Sequence, residues 1–356
     1  MIEIIAQTQP NKGGLGRLSY NMYKSIDKLG YDVTYYAFEN EIPSYFFSDL
    51  IFSYQAEKKI DRDSILIGFM GQNYFASEDH NGRYYTICGD VRPFLDKLHQ
   101  KGLMEFTNLK EKLNHIINDF GNNFLIDLHK HDLEISEKII VPSSFVKNQL
   151  KYYNSEFGKK SVIYPHGVDK KLFSYKRKNS GDFILFVGGV SNRKGINDLI
   201  EALNRLKEIY GSFKSKLVGY GNWSKIKKLV KDKDLEENID IEGYVSDKRL
   251  YELYSNAKVL ILPSYSEGFG IPVVEAMAVG VPIIISENVG AKDLVRESGG
   301  GKIVKPGEIN QISNYLKDFL ENRSLNKKYG RKNRKLVSEK YTWKKTTKRL
   351  LEKLNI

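Results

Sequence analysis

The chain has 356 residues and a mass of 41.0 kDa, which is more than one hydrophobic core usually serves, so we expect two domains. Hydrophobic residues make up 41% and charged residues 28%, a balance typical of soluble globular proteins. The single cysteine, Cys88, excludes an internal disulfide framework and a cysteine-built metal site. No apolar run is long enough to span a bilayer and MIEIIAQTQP does not read as a secretion signal, so we expect a cytoplasmic protein.

The charge is unevenly distributed. The net charge is +12 and the pI is near 9.3, and residues 326–353 contain twelve Lys or Arg against two Glu. This excess of ten positive charges could contact an anionic membrane peripherally, bind nucleic acid, or simply form the solvated faces of terminal helices. We favour the solvated faces. Nucleic acid is the weaker alternative because no recognition helix or base-stacking motif accompanies the charge.

The first half of the chain alternates short apolar runs with helical patterns. IEIIAQ predicts a strand, the glycine-rich QPNKGGLGR follows it, and a helix comes next. The apolar residues of that helix recur at helical spacing: Leu18, Met22, Ile26 and Leu29. YDVTYYAF, SILIGFM, RYYTICG and KIIVPS predict further strands, and residues 93–135 look largely helical. Ser143 or Ser144 suits the N-cap of the next helix.

The alternation restarts after a turn in SVIYPHGVD, residues 161–169. The polar, basic KKLFSYKRKNSGD is typical of a linker. FILFVGGV, KLVGYG, IDIEGYV, KVLILPS and VPIIIS predict strands separated by helices, the clearest being the amphipathic GINDLIEALNRLKEIY. Continuous apolar strands between helices indicate parallel sheets covered on both faces. We therefore predict two doubly wound α/β domains joined near residue 170, with ligands bound beyond the carboxyl ends of the strands.

Two acids flank a small-residue segment in SYSEGFGIPVVEAMAVG, which follows a predicted strand. Glu267 lies in the loop, and Glu275 is expected near the N-terminus of a short helix. That N-terminus and the backbone N–H groups of Gly268, Phe269 and Gly270 favour a phosphate. Carboxylates accept paired hydroxyls well, so Glu275 could hold a ribose diol and Glu267 the hydroxyls of a sugar. The alternative is a helix-capping acid and a surface-loop acid.

A second segment, VGGVSNRKGINDLIEAL, places Arg193 and Lys194 between a strand and a helix. Two cations at this position can neutralise a diphosphate leaving group. The alternative interpretation is an exposed basic loop.

The third segment is QPNKGGLGR, in which Gly13, Gly14 and Gly16 follow the first strand and precede a helix. Glycines allow the backbone to approach a phosphate closely. The spacing differs from the dinucleotide-binding G-x-G-x-x-G pattern, and a plain tight turn is the alternative.

These segments carry a family resemblance. E-G-F-G-I-P-V-V-E, preceded by LPS and followed by AMAVGVPII, resembles the signature of the retaining GT-B glycosyltransferases of family 4, the glycosyl transferases group 1. The resemblance implies two Rossmann-like domains facing across a cleft. Residues 1–169 would form the acceptor-side domain, residues 170–338 the nucleotide-sugar donor domain, and residues 339–356 a C-terminal helix crossing back to the first domain.

The resemblance also carries roles onto individual residues. Lys194 matches the lysine of the family's R-x(4)-K or RKG-like arrangements, and Arg193 matches less closely. The glycine loop of the first domain would contact donor phosphate or acceptor, and Tyr244 and Val245 would read the base, largely through the backbone. PHGVD is similar to the family's interdomain P-N-G-V-D turn, with His166 in place of Asn.

The sequence departs from the family at RYYTICGDVRPF. Many members carry a histidine at the end of this strand, close to the reacting sugar, where this chain has Cys88, Gly89 and Asp90. Asp90 could orient an acceptor or the transferred sugar, or it could pair with Arg92. The substitution places the acceptor chemistry in question.

The activity that the resemblance implies is that of a hexosyltransferase of EC 2.4 type. It would move a hexose, with retention, from a UDP- or GDP-sugar to a glycan, lipid-linked or other hydroxyl acceptor. We expect no cofactor and no metal, because Arg193 and Lys194 can supply the positive charge that the leaving group needs. The alternatives are a sugar-nucleotide-binding GT-B protein without transfer activity and a basic nucleic-acid-binding protein.

Overall fold

The computed structural model describes residues 1–6, 13–37, 54, 56–70, 76–77, 80–89, 129–175, 177 and 183–356. The chain divides into two compact units: Met1–Pro165 together with Trp343–Ile356, and His166–Thr342. The junctions predicted from the sequence were 169/170 and 338/339. The predicted helical region at 93–135 lies outside the described residues as far as residue 128, and residues 129–135 are helical.

The described part of the first unit contains a six-stranded parallel sheet in the order β2-β1-β3-β4-β5-β6. Its strands are β1 Ile2–Ala6, β2 Val33–Ala37, β3 Ile65–Phe69, β4 Tyr84–Ile87, β5 Lys138–Val141 and β6 Ser161–Ile163. All five strand pairings are parallel. The first five strands lie where the apolar runs predicted them.

Helices cover this sheet. Besides the helical residues 129–135, the described part of the first unit contains the helices Gly13–Asp27, Ser144–Tyr153, Ser155–Lys160 and Trp343–Leu354. Ser143 is the N-cap of the second of these, and its side chain accepts a hydrogen bond from the N–H of Val146 at 3.3 Å. Leu18, Met22 and Ile26 are fully or almost fully buried, as their helical spacing predicted.

The C-terminal helix Trp343–Leu354 belongs to the core of the first unit. Leu350, Leu351 and Leu354 are almost fully buried there. Hydrogen bonds fix its position as well. The hydroxyls of Tyr164 and Thr347 lie 3.0 Å apart, and the Arg83 guanidinium donates to the carbonyl of Leu354 at 2.6 Å. An orphan carbonyl at the helix end is thereby satisfied.

The described part of the second unit holds another six-stranded parallel sheet, in the order β12-β11-β10-β7-β8-β9. Its strands are β7 Phe183–Val187, β8 Ser215–Val218, β9 Ile239–Gly243, β10 Ala257–Leu262, β11 Ile283–Ser286 and β12 Gly301–Val304. The helices are Ile196–Tyr210, Ser224–Asp232, Asp247–Asn256, Ile271–Val279, Lys292–Ser298, Ile309–Glu321 and Arg323–Lys340. The prediction of a doubly wound α/β class is confirmed.

The segment predicted as a linker is instead part of the second unit. Residues Lys170–Ser174 form a short 3-10 helix, capped by the Asp169 side chain. Leu172 is almost fully buried in the core. The guanidinium of Arg177 donates to the carbonyls of Ala257 at 3.0 Å and of Lys258 at 2.9 Å, and burial lowers its pKa to about 10. Polar composition therefore did not mark a solvated connection here.

No helix in the described ranges combines the length and apolar character that crossing a membrane requires.

Candidate functional site

Two loops meet at the carboxyl edge of the second sheet. Strands β7 and β10 are parallel neighbours, so the loops that follow them leave the sheet at the same edge. Gly195 has a left-handed backbone, with φ of +67°. A Cβ atom there would lie 2.3 Å from the carbonyl oxygen of Pro263. That distance is a steric clash, so only glycine, which has no Cβ, fits at this position. The close approach of the loops therefore depends on the glycine of the Lys194-Gly195 motif.

This approach brings three of the predicted site residues together. The Lys194 ammonium donates to the Glu267 carboxylate. The Arg193 guanidinium lies 3.6 Å from the same carboxylate oxygen and donates to the carbonyl of Ser266 at 2.5 Å. The Lys194 and Glu267 side chains are only 15% and 18% exposed. Lys194 and Glu267 lie 73 positions apart in sequence, and they form one half-buried ion pair at the end of the strands.

Backbone hydrogen bonds hold the Glu267 loop rigidly on both sides. On one side, the N–H of Tyr265 donates to the carbonyl of Arg193 at 2.8 Å. On the other side, the N–H of Glu267 donates to the carbonyl of Asn288 at 3.0 Å, the N–H of Gly290 donates to the carbonyl of Glu267 at 2.9 Å, and the N–H of Ala291 donates to the carbonyl of Phe269 at 2.6 Å. The Glu267 backbone is thus bonded through both its N–H and its C=O. The backbone that carries the Glu267 side chain is therefore fixed before any ligand arrives, which limits the entropy lost on binding.

Tyr265 and Asp198 tie the two loops together a second time. The Tyr265 hydroxyl donates to the Asp198 carboxylate at 2.7 Å. Burial, followed by the hydrogen bond to Asp198, raises the pKa of Tyr265 to about 12. The hydroxyl therefore keeps its proton and remains a donor at neutral pH. No local sequence pattern predicts this pair, because its two residues are 67 positions apart.

Glu275 lies deeper than predicted. The short helix runs from Ile271 to Val279 after a left-handed Gly270 with φ of +97°, so Glu275 falls in the second turn and not beside the N-terminus. Its side chain is 8% exposed, and its carboxylate accepts a hydrogen bond from the Tyr254 hydroxyl at 2.9 Å. The helix begins directly after the EGFG loop, and Glu275 is the fifth of its nine residues.

The Phe269 side chain packs inward. Its ring stacks on the imidazole of His166, with centroids 4.7 Å apart and planes 20° from parallel. Burial lowers the pKa of His166 to about 3, so the imidazole is neutral at neutral pH. Gly268, Phe269 and Gly270 are all buried. The phosphate contact predicted for these three residues would therefore be made by their backbone.

Two candidate residues follow β9. Tyr244 comes directly after Gly243, which has a left-handed φ of +67°, and its side chain is 79% exposed. Val245 is half-buried and packs against the core of the second unit. Both lie at the same carboxyl edge as Lys194, where the sequence placed them.

The glycine motif of the first unit differs from its prediction. Gly13, Gly14 and Gly16 lie inside the helix that begins at Gly13 and do not precede it. The carbonyl of Gly16 accepts a hydrogen bond from the Ser19 hydroxyl at 3.3 Å, a helical contact that leaves this residue unlike a loop glycine. Cys88 is buried at the end of β4. Asp90 lies outside the described residues.

The second unit departs from one family spacing. An R-x(4)-K arrangement ending at Lys194 would place its arginine at position 189, which is Gly189 in this chain. The arginine that reaches the Glu267 carboxylate is Arg193.

In the part of the chain that the structure describes, no group of three or more His, Cys, Asp or Glu side chains could hold a metal ion.

Solved structures identify the fold. Sucrose-phosphate synthase of Thermosynechococcus elongatus superposes with a TM-score of 0.80 at 18% identity, covering 99% of this chain and 98% of that one. The lipopolysaccharide glycosyltransferase WaaG covers 99% of each chain with a TM-score of 0.71 at 17% identity. The two parallel α/β units therefore define a two-domain GT-B fold.

Sequence comparison identifies the family. The sequence model described as Glycosyl transferases group 1 matches residues 168–336, which lie within the second unit. An uncharacterized glycosyltransferase of Methanocaldococcus jannaschii is 31% identical over 250 residues, 67% of each chain. The chain belongs to the glycosyl transferases group 1 family.

More limited matches reach mannosyltransferases. The O-antigen chain mannosyltransferase B of Escherichia coli is 29% identical over 40% of this chain and 38% of that protein. The MMP alpha-(1->4)-mannosyltransferase of Mycolicibacterium hassiacum is 27% identical over 51% and 44%, respectively. The chain thus spans about two fifths of the length of these relatives.

Proposed function

We propose that this glycosyltransferase moves a hexose, with retention of anomeric configuration, from a UDP- or GDP-sugar to a hydroxyl of a glycan or lipid-linked acceptor. The transfer requires no metal ion. The observation that carries the proposal is the ion-paired cluster of Lys194, Arg193 and Glu267 at the carboxyl edge of the second sheet. It places positive charge beside a fixed carboxylate at the edge where α/β sheets bind ligands.

The two cations suit a diphosphate leaving group. When the bond between the anomeric carbon and the phosphate oxygen breaks, negative charge grows on the β-phosphate and must be offset in the transition state. The Lys194 ammonium and the Arg193 guanidinium provide that charge, the first as a point charge and the second as a planar fork. Because one carboxylate already holds both, an arriving diphosphate competes with Glu267 for them.

Glu267 then serves the sugar. Once the diphosphate takes over Lys194, the Glu267 carboxylate is available to accept hydrogen bonds from sugar hydroxyls. The acceptor hydroxyl forms the new bond to the anomeric carbon, and its proton passes to an oxygen of the departing phosphate. No protein nucleophile is needed in this sequence of events.

Glu275 is proposed to hold the ribose. Its carboxylate is already oriented by the Tyr254 hydroxyl, and a carboxylate has further acceptor positions for a diol. The backbone of Gly268, Phe269 and Gly270 contributes N–H groups at the start of the same helix, where the dipole favours phosphate. Tyr244 and Val245 contact the base.

The acceptor and the location belong to the same proposal. Two matched relatives carry O-antigen chain mannosyltransferase in their names, which supports a glycan acceptor. HepE of Anabaena, solved with UDP and glucose, has the same fold at 16% identity. We place the enzyme in the cytoplasm, and the exposed basic side chains of the helix Arg323–Lys340 are the surface through which it would contact an anionic membrane.

A screen of UDP- and GDP-sugars in EDTA tests the function. A ligand at 100 times its Kd should stabilise the protein by about 2.7 kcal/mol, which a thermal-shift measurement detects readily. The sugar-nucleotide that stabilises the protein should also be cleaved, with release of the nucleoside diphosphate, and the product should keep the donor's anomeric configuration. Stabilisation without cleavage in the presence of any hydroxyl acceptor would indicate a binding protein and contradict the proposed transfer.

A further inference from the structure

Two consecutive glycines, Gly188 and Gly189, lie close to Lys194. They follow β7, and an added Cβ on Gly188 would lie 3.2 Å from Cζ of the Phe186 ring and 3.7 Å from Cδ of Lys194. An added Cβ on Gly189 would lie 3.1 Å from Cε2 and Cζ of the Tyr220 ring. The two glycines are therefore flanked by the stem of a cation on one side and by an aromatic ring on the other.

The Tyr220 ring is exposed although its backbone is fixed. The side chain is 73% exposed. The Tyr220 carbonyl accepts a hydrogen bond from the N–H of Val190 at 3.0 Å, and the carbonyl of the preceding Gly219 accepts one from the Trp223 indole at 3.1 Å. The turn thus holds an amphipathic aromatic ring at the surface on a fixed backbone, and such a ring can stack on a ligand.

Tyr220 also lies at the ligand-binding edge. It follows β8, and the N–H of Gly219 donates to the carbonyl of Gly243 at 2.8 Å, so the turns after β8 and β9 leave the sheet side by side. The edge thus presents a cation at Lys194, two glycines without side chains, and an aromatic ring, in that order. A nucleoside diphosphate presents anionic phosphates at one end and a flat π-system at the other.

We propose that Tyr220 is the stacking platform for the nucleobase of the donor, with the phosphates at Lys194. The assignment rests on the proposed use of a nucleotide-sugar donor. Stacking makes few demands on the identity of the base, because every base has a π-face. Tyr220 therefore provides affinity for UDP and GDP alike, and the choice between them is made by other contacts.

Calorimetric titration with UDP, GDP and inorganic pyrophosphate tests this assignment. Removing one base-stacking aromatic typically weakens binding by about 5- to 150-fold, so Tyr220→Ala should weaken UDP and GDP by that factor. Pyrophosphate has no base, and its affinity should stay within about twofold of the wild-type value. Tyr220→Phe keeps the ring and should bind nucleotides almost as the wild type does.

Tyr210→Ala is the matched control. Tyr210 is also an exposed tyrosine of the second unit, but it ends the helix Ile196–Tyr210, which runs away from the carboxyl edge, so nucleotide affinity should not change. If Tyr220→Ala bound UDP and GDP with the same affinity as the wild type, the role of Tyr220 would be overturned and the proposed function would stand. Failure of the wild type to bind any nucleoside diphosphate would overturn both.

Discussion

Glu267 is ion-paired with Lys194, the cation that is proposed to bind the donor phosphates. The Lys194–Glu267 contact is only partly exposed, so solvent screens it less than an ordinary surface pair. The diphosphate and the carboxylate compete for Lys194, and this competition separates the two roles experimentally.

Glu267→Gln should therefore lower turnover much more than it lowers nucleotide affinity. The amide no longer neutralises Lys194, so the affinity for UDP or GDP should be unchanged or improved. Loss of a charged acceptor for the sugar hydroxyls should reduce the rate of transfer by roughly 10- to 150-fold. Steady-state kinetics and nucleotide titration on the same preparation give both values. Weaker nucleotide binding with unaltered turnover would show that the roles are wrongly divided.

Glu275→Ala should weaken nucleoside diphosphate binding by about 1.5–3 kcal/mol, the range for hydrogen bonds to a charged group. Tyr254→Phe is the control, since it removes the internal donor of Glu275 and keeps the carboxylate. It should change nucleotide affinity far less. Because Glu275 is buried, chemical unfolding must first establish that both variants are folded. Equal affinity in a folded Glu275→Ala protein would remove this residue from the site.

His166 should make the second unit sensitive to acid. Its folded-state pKa is about 3, against an ordinary value of 6.5, so between these values the unfolded chain binds a proton that the folded chain does not. Stability is therefore fully present above pH 6.5 and falls as the pH drops toward 3. At pH 5 the loss due to this one group is about 2 kcal/mol.

His166→Phe should flatten that dependence. The phenyl ring can still stack on Phe269 but cannot titrate. Urea unfolding at pH 7 and pH 5 should show a smaller difference in free energy for the variant than for the wild type. The same difference in both proteins would mean that His166 is not the titrating group.

At the scale of elements, the C-terminal helix Trp343–Leu354 is a structural part of the first unit. Leu351→Ala should lower the free energy of unfolding by about 2–5 kcal/mol, as is usual when a buried leucine is truncated. Lys348→Ala, an exposed position on the same helix, is the control and should change stability by less than about 0.5 kcal/mol. Denaturant unfolding of the full chain distinguishes them, and equal stability of the two variants would contradict the docking of this helix.

The sequence predicted the elements better than their junctions. Apolar runs such as KVLILPS and FILFVGGV are local signals, and they gave β10 and β7 directly. The exact start of the helix that carries Glu275 was less predictable, because it depends on the left-handed Gly270, a conformation that the sequence permits but does not require. The segment Lys170–Ser174 was misread as a linker because one buried leucine, Leu172, outweighs its polar neighbours.

In the candidate site too, some features were predictable from the sequence and others were not. The types of residue in it were predictable from the motifs, but their partners were not. The contact between Lys194 and Glu267 joins two loops on neighbouring strands, and only the strand order β10-β7-β8 brings them together. Tyr265 with Asp198, and Tyr220 beside Gly189, were missed for the same reason. Long-range partners depend on the topology, which local periodicity does not specify.

The basic C-terminal segment is not uniformly available to a partner. The Arg334 guanidinium donates to the carbonyls of Phe173, Tyr175 and Ala278 at 2.5, 3.2 and 3.1 Å, and burial lowers its pKa. Seven other basic residues of the helix Arg323–Lys340 are exposed: Arg323, Lys327, Lys328, Arg331, Lys332, Lys335 and Lys340.

These exposed residues should attract an anionic membrane. Each Lys or Arg close to such a surface contributes about 1 kcal/mol, so Lys327→Glu combined with Lys328→Glu should greatly reduce co-sedimentation with anionic vesicles. Neutral vesicles should bind neither protein, and added salt should weaken the wild-type interaction. Equal, negligible binding of the wild type to both kinds of vesicle would leave the segment as the solvated face of a helix.

The most direct test of the central claim is the rate of donor cleavage by wild type and Lys194→Ala, with and without EDTA. Lys194 and Arg193 are proposed to offset the charge on the leaving diphosphate, so EDTA should leave wild-type activity largely intact. Lys194→Ala should lose roughly 10²–10³-fold in rate, the scale for removing one preorganised donor, whereas Lys227→Ala, at an exposed lysine of the same unit, should match the wild type. Activity that EDTA abolishes and Mg²⁺ or Mn²⁺ restores, with Lys194→Ala nearly unchanged, would contradict the account.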